Sequence, residues 1–217
     1  MAAASQLHSA RSVSLSTTES RPWLVVVAEV REKLAPSRLL TGVECDVLDG
    51  GALDQESDLL DALDVVVASV HSKLRMEVGP MTKRLLAAVR SPRVDVLGHC
   101  TGRLVTGRTR PQSSFDAEAV FEACAANATA VEINCRPERR DPPSALVDKA
   151  VSAGCLFAID TDARAPGQLD WQAYGCERAE QAGIAAHRVI TTWTADQLLT
   201  WTSTGASLAG RGSGDPR

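Results

Sequence analysis

The stretch Val65-Val66-Val67-Ala68-Ser69-Val70-His71 decides the fold, because a short run of mostly β-branched residues ends there at a possible metal ligand. The same layout recurs at three other places: Glu44 after 39–43, His99 after 94–98, and Asp162 after 156–159. Ligands at the carboxyl ends of successive parallel strands are how an α/β barrel assembles a site from distant segments. The pattern therefore predicts an α/β fold with its site at one edge of a parallel sheet.

The segments between these runs favour helices. We predict strands at 39–48, 64–70, 94–98, 129–134, 155–160 and 189–191. We predict helices at 22–34, 55–62, 80–90, 115–126, 143–153, 170–182 and 195–202. The Val triplet at 25–27 also fits a strand, so the first helix is ambiguous. Strands separated by helices of this length imply right-handed crossovers and a parallel sheet.

Composition limits the class of protein. The chain has 217 residues and a net charge of −4, which suits one domain without the basic surface that nonspecific nucleic-acid binding needs. No apolar run approaches eighteen residues, so we expect no membrane span. The six cysteines form no C-x-x-C pair and stand in apolar surroundings. They predict reduced, buried thiols and a cytoplasmic protein.

The ends of the chain differ from its middle. Residues 1–20 are rich in Ala and Ser and lack the apolar core of a secretory signal, which predicts a disordered or remnant segment. Residues 205–217 form a Gly- and Ser-rich stretch that predicts a disordered tail. The predicted domain therefore covers residues 21–204.

Glu44, His71 and His99 together form a carboxylate and two imidazoles. This set suits zinc or manganese, with iron as an alternative, and leaves coordination positions open for water and substrate. A single histidine at the end of a strand is more often an ordinary loop residue. The set therefore predicts a metal site by its combination and not by either histidine alone.

Two further residues have competing interpretations. Asp162 is a candidate metal ligand or the cap of the turn that follows it. Arg103, in the tight loop after His99, could hold a phosphate through two donors, or could be an ordinary exposed loop arginine.

Several short motifs resemble those of the PHP (polymerase and histidinol phosphatase) domain family. They are Gly42-Val43-Glu44-Cys45-Asp46-Val47-Leu48, Ala68-Ser69-Val70-His71-Ser72, Leu97-Gly98-His99-Cys100-Thr101-Gly102-Arg103, Val131-Glu132-Ile133-Asn134 and Thr161-Asp162-Ala163. The resemblance runs from about residue 22 to residue 203 and is greatest to PHP domains associated with bacterial family X DNA polymerases. Each motif is short, but their order and spacing together are specific.

The resemblance implies a distorted (β/α)7 barrel with a trinuclear metal cluster that hydrolyses phosphoesters. It implies that Glu44, His71, His99 and Asp162 are both metal ligands and catalytic residues. The family also opens with an H-x-H motif, which this chain lacks. We therefore expect a barrel incomplete at its N-terminal strands, with one metal site intact and Asp162 left as part of another.

Arg164 stands where the resemblance places the histidine of a final Asp-x-His motif. Either its guanidinium replaces part of a lost metal's charge and binds phosphate, or the arginine is the result of sequence drift in a chain that no longer catalyses.

Two functions follow. The first is a metal-dependent phosphoesterase acting on a small phosphomonoester or a nucleic-acid end. The second is a non-catalytic remnant that binds one metal or a phosphorylated ligand, or serves as an interaction module. A chain truncated before its first strands would have open sheet edges that favour self-association. A segment upstream of residue 1 that carries an H-x-H motif would instead favour the enzyme.

Overall fold

The computed structural model describes residues 22–209 of the chain. Five strands alternate with helices. The strands are β1 (Gly42–Asp46), β2 (Val65–Ser69), β3 (Val96–Leu97), β4 (Ala130–Asn134) and β5 (Phe157–Asp160). The helices are α1 (Pro22–Lys33), α2 (Ser57–Leu60), α3 (Val78–Val89), α4 (Ala117–Ala126), α5 (Ser144–Ser152), α6 (Gln172–Gln181) and α7 (Ala195–Ala209).

The five strands form one parallel sheet in the order β1-β2-β3-β4-β5. Each strand pairs with the next one along the chain, so the winding never reverses. A doubly wound sheet would contain such a reversal, whereas a barrel does not. A parallel bridge between Phe157 and Val189 continues the arc beyond β5. The predicted α/β fold is confirmed, and the sheet is compatible with part of a barrel.

The strand predicted at 189–191 is wrong in all but one residue. Short 3₁₀ helices occupy Ala186–Arg188 and Ile190–Thr192, and Val189 between them makes the only strand-like pairing. The Thr192 hydroxyl donates back to the carbonyl oxygens of Ala186 and Val189, at 2.9 and 2.8 Å. This local hydrogen bonding competes with a strand. The predictions for residues 1–20 and for most of the tail lie outside the described residues.

One face of the sheet packs against the helical layer. Ala68, Leu97, Val131 and Phe157 are buried there in a single core cluster with residues of α3, α4 and α5. Because neighbouring strand residues alternate between faces, their sequence neighbours point the other way. Packing against the helices therefore explains why every second residue of these strands is apolar.

The opposite face divides into an apolar half and a polar half. Toward the amino ends of the strands, Val96, Ala130 and Ala158 pack against Trp193 and Trp201, which lie before and on α7. Toward the carboxyl ends, the same face carries polar residues in place of apolar ones. Those residues are Glu44, Ser69, Glu132, Asn134 and Asp160. The fold thus collects charged groups at one edge of an otherwise apolar surface.

The cysteines pack as predicted. All six are free thiols, and all except Cys176 are buried. Burial raises the pKa of Cys45 and Cys135 to about 12, which keeps both thiols neutral.

Arg84 of α3 is a buried arginine that joins two loops of the site edge. Its side chain is 1% exposed. Its Nε donates to the carbonyl oxygens of Val47 and Leu48 at 3.0 Å, and its Nη1 donates to that of Ser72 at 2.9 Å. Those carbonyls follow β1, which contains Glu44, and β2, which precedes His71. One guanidinium therefore sets the spacing between the two loops.

Asp95 joins β2 to β3 through a side-chain acceptor. Its Oδ2 accepts a hydrogen bond from the Val66 N–H at 2.8 Å. Burial raises the pKa of the Asp95 carboxyl to about 7, although the Val66 hydrogen bond opposes that shift. The folded protein therefore keeps this proton to a higher pH than the unfolded chain does.

We expect Arg84→Met to lower the free energy of unfolding by about 3 kcal/mol, because buried carbonyl oxygens lose their donors. Urea denaturation measures the change. Arg90→Met is a suitable control, since Arg90 is exposed at the end of the same helix and its loss should cost at most about 0.5 kcal/mol. Equal losses in the two variants would contradict the role given to Arg84.

We expect Asp95→Asn to remove a pH dependence of stability. Because the pKa of Asp95 is higher in the folded protein than in the unfolded chain, the free energy of unfolding decreases as the pH increases from about 4 to about 7. Relative to the variant, the wild-type chain should lose about 1–2 kcal/mol over that range, after allowance for partial exposure. Urea titrations at pH 4 and pH 8, which bracket that range, test this. The exposed Asp148→Asn on α5 should leave the pH dependence unchanged.

Candidate metal centre

Three of the predicted ligands meet at the carboxyl edge of the sheet. Glu44, His71 and His99 each offer an atom, and these atoms all lie within 4.8 Å of one another. Glu44 comes from β1, His71 follows β2, and His99 follows β3. Because β1, β2 and β3 are neighbours in the sheet, residues far apart in sequence converge at one point. The predicted carboxylate and two imidazoles therefore form one cluster.

The distances within the cluster match those of ligands sharing one cation. Glu44 Oε1 lies 3.4 Å from His71 Nε2 and 3.4 Å from His99 Nδ1. Two ligand atoms bound tetrahedrally at about 2.1 Å from zinc are about 3.4 Å apart. The His99 Nε2 atom is buried without a hydrogen-bond partner among the described residues. The residues present therefore fit a divalent metal ion.

The charges of the cluster favour an ionised carboxylate. Burial alone would raise the pKa of Glu44, but the His71 hydrogen bond and the charge of His99 lower it overall. Burial would likewise lower the pKa of His99, but the Glu132 carboxylate raises it overall. The raised pKa favours the doubly protonated form of the His99 ring. Binding of a metal ion would displace one of these protons.

Glu132 of β4 holds His99 at its backbone and at Nδ1, the ring nitrogen that also faces Glu44. Glu132 is 2% exposed, and its Oε2 accepts a hydrogen bond from the His99 backbone N–H and lies 3.4 Å from His99 Nδ1. Asn134 donates to Glu132 Oε1 at 3.0 Å. Burial and the charge of Glu132 raise the pKa of Asp160 well above its usual range. One proton shared between these two carboxyl groups lowers the cost of burying both.

Gly98 allows His99 to approach this network. A Cβ atom on Gly98 would lie 2.1 Å from Ser69 Oγ and 2.9 Å from Val67 Cγ1. Ser69 Oγ in turn lies 3.2 Å from His99 Nδ1. The absence of a side chain at position 98 therefore lets β2 and β3 bring Ser69 and His99 together.

Asp162 lies outside the three-residue cluster. It is buried and has a positive φ of 45°. Its Oδ2 lies 3.4 Å from Arg136 Nη1 and 3.5 Å from Arg139 Nε, while its Oδ1 has no hydrogen-bond partner among the described residues. The arginines balance its charge as a second cation would. Its role as a metal ligand stays a prediction.

The two predicted phosphate-binding arginines have different surroundings. Arg103 donates from Nε to the Arg139 carbonyl at 3.1 Å and from Nη2 to the Arg140 carbonyl. Those donors hold the loop after β3 against the loop after β4. Arg164 is exposed, beyond β5. Phosphate binding by either residue stays a prediction.

Our sequence prediction of the site omitted Glu132 and Asp46. Glu132 is a lone carboxylate in the apolar strand Ala130–Asn134, and such a charge in a buried strand is itself a signal. Asp46 lies two residues after Glu44 and therefore on the same side of β1.

Fold and site together define a class of protein: a singly wound α/β domain with a carboxylate–imidazole cluster that fits a metal ion at the carboxyl edge of its sheet. Within the described part of the chain, no helix has the length and apolarity needed to cross a membrane.

Curated proteins with similar sequences include a polymerase and phosphatases. The DNA polymerase/3′-5′ exonuclease PolX of Bacillus subtilis is 35% identical over 153 residues, which is 70% of this chain and 26% of PolX. The probable phosphatase TTE1963 of Caldanaerobacter subterraneus is 32% identical over 62% of this chain and 54% of that protein. The probable phosphatase Teth514_1060 of Thermoanaerobacter is 26% identical over 74% of this chain and 66% of that protein.

These relatives confirm the resemblance inferred from the motifs: the chain is a PHP-type domain related to those of family X DNA polymerases. It spans between about a quarter and two thirds of the length of these three relatives. No family model matches the chain.

We expect Gly98→Ala to lower the free energy of unfolding by about 1–3 kcal/mol, because the added methyl group overlaps Ser69 and Val67 in a packed sheet. It should also weaken metal binding by displacing His99. Thermal unfolding and cobalt titration measure the two effects. Gly50→Ala is the matched control, because a Cβ at position 50 meets nothing within 4 Å.

Proposed function

We propose that this chain is a metal-dependent phosphoesterase domain of the PHP type. The observation that carries the proposal is the convergence of Glu44, His71 and His99, whose ligand atoms lie within 4.8 Å of one another. A divalent cation held there, zinc or manganese with iron as an alternative, would supply the Lewis acidity that phosphoester hydrolysis needs. Glu44 and His99 are held by partners in the folded chain, so the site is preorganised for a cation.

The distribution of exposed arginines favours a nucleic-acid end over a small phosphomonoester. Each loop that follows β2, β3, β4 and β5 carries one exposed arginine: Arg75, Arg108, Arg140 and Arg164. The chain as a whole has a net charge of −4, so these arginines are local positive charges on a chain that is acidic overall. An extended polyanion could contact several of these side chains, whereas a single phosphate could not.

A non-catalytic domain that binds one metal is the second candidate. It is favoured by Asp162, whose charge is balanced by Arg136 and Arg139 at 3.4 and 3.5 Å. A carboxylate paired in this way is less available to a second cation. Cytoplasmic location and self-association through the β1 edge stay predictions.

Metal content and turnover distinguish the two candidates. We expect the wild-type chain to bind about one equivalent of zinc or manganese and to hydrolyse p-nitrophenyl phosphate or shorten a 3′-labelled single-stranded oligodeoxynucleotide. His71→Ala and His99→Ala should each lower metal affinity and turnover by about 100-fold or more, because each removes a ligand. His187→Ala, on a short 3₁₀ helix away from the cluster, should behave like the wild type.

Each outcome favours one candidate. Binding of one metal without turnover of either substrate would contradict the phosphoesterase and support the non-catalytic domain. Failure to bind a divalent metal would contradict both. Faster turnover of the oligonucleotide than of p-nitrophenyl phosphate, with a strong decrease at higher salt, would support the nucleic-acid end.

A further inference from the structure

The two imidazoles of the candidate centre are supported differently. His99 is buried and held by Glu132, whereas the His71 side chain is 40% exposed. An exposed imidazole has several orientations available, and restricting it to one costs conformational entropy. A ligand in this position needs a partner that fixes both its orientation and the ring nitrogen that carries the proton.

Asp46 is placed to be that partner. Its Oδ1 accepts a hydrogen bond from the His71 backbone N–H at 3.1 Å and lies 3.7 Å from His71 Nδ1. The other ring nitrogen, Nε2, lies 3.4 Å from Glu44 Oε1. A carboxylate beside Nδ1 favours the tautomer with its proton on Nδ1, which leaves the Nε2 lone pair for a metal.

The strand pairing and the following turn fix Asp46 itself. Asp46 is paired with Ser69 across β1 and β2, so its carboxylate stands next to the segment that leads into His71. The Asp46 N–H donates to Asp54 Oδ1 at 2.9 Å, and the Asp54 N–H donates to the Asp46 carbonyl at 3.1 Å. Arg84 then holds the carbonyl of the next residue, Val47. The carboxylate is therefore anchored on both sides.

The geometry points to Asp46 as a positioning residue that orients His71 so that Nε2 binds the metal ion. Asp46 does not itself contact the metal or the substrate in this assignment. The inference rests on the proposed metal centre, and it adds a residue on which the affinity of that centre depends.

Cobalt titration of Asp46→Asn tests the inference, because the asparagine oxygen keeps the acceptor for the His71 N–H but lacks the charge. We expect the Kd for Co²⁺ to increase by about 10-fold or more and the visible absorption band of bound cobalt to change. The urea midpoint of the metal-free variant should match the wild type. Asp49→Asn is the matched control, since Asp49 lies three residues later, in the loop after β1, and pairs with Lys73.

A double-mutant cycle separates positioning from a general structural effect. In the His71→Ala background, Asp46→Asn should cause no further loss of cobalt affinity, because the side chain that it positions is gone. Additive losses would overturn the inference. Asp46→Glu, which keeps the charge but displaces it, should recover part of the affinity and serves if the asparagine variant folds poorly.

The proposed function and this inference can fail separately. Wild-type binding of cobalt with an unchanged Kd in Asp46→Asn would overturn the positioning role alone. No cobalt binding by the wild type would overturn the metal centre and, with it, this inference.

Discussion

The buried guanidinium of Arg84 is the interaction on which the site edge depends. Its donors reach the carbonyls of Val47 and Leu48 after β1 and of Ser72 after β2. Glu44 precedes the first of these loops and His71 begins the second. Backbone carbonyls at the end of a strand need donors once they are buried, and a planar guanidinium can supply several in fixed directions. The relative position of two candidate ligands thus follows from one residue in a helix.

Around this anchor the site concentrates negative charge. Glu44, Asp46, Glu132 and Asp160 come from three strands and point to the same face of the sheet. Part of this charge is balanced by His99, and burial and the charge of Glu132 raise the pKa of Asp160, which favours its neutral form. A divalent cation would complete the balance.

Hydrophobic periodicity was sufficient to predict most of the fold. Within residues 22–209, the five strands and seven helices overlap the predicted ranges, because burial of one face imposes a period of two or of 3.6. The prediction of a strand at 189–191 was wrong because Val189 and Ile190 have strand-forming side chains, whereas Thr192 closes a local turn. Local hydrogen bonds of that kind depend on the position of a single hydroxyl, which periodicity does not register.

The sequence by itself determined the three residues of the metal cluster and the edge of the sheet where they lie. Each ends an apolar run, and parallel strands carry their ends to the same side. Only the tertiary structure decided which further residues contact these three. Glu132 and Asp46 become partners of His99 and His71 through strand pairing, and Asp162 becomes a partner of two arginines through a loop. Such contacts depend on distances of 3–4 Å between segments far apart in the chain, and spacing along a sequence does not contain those distances.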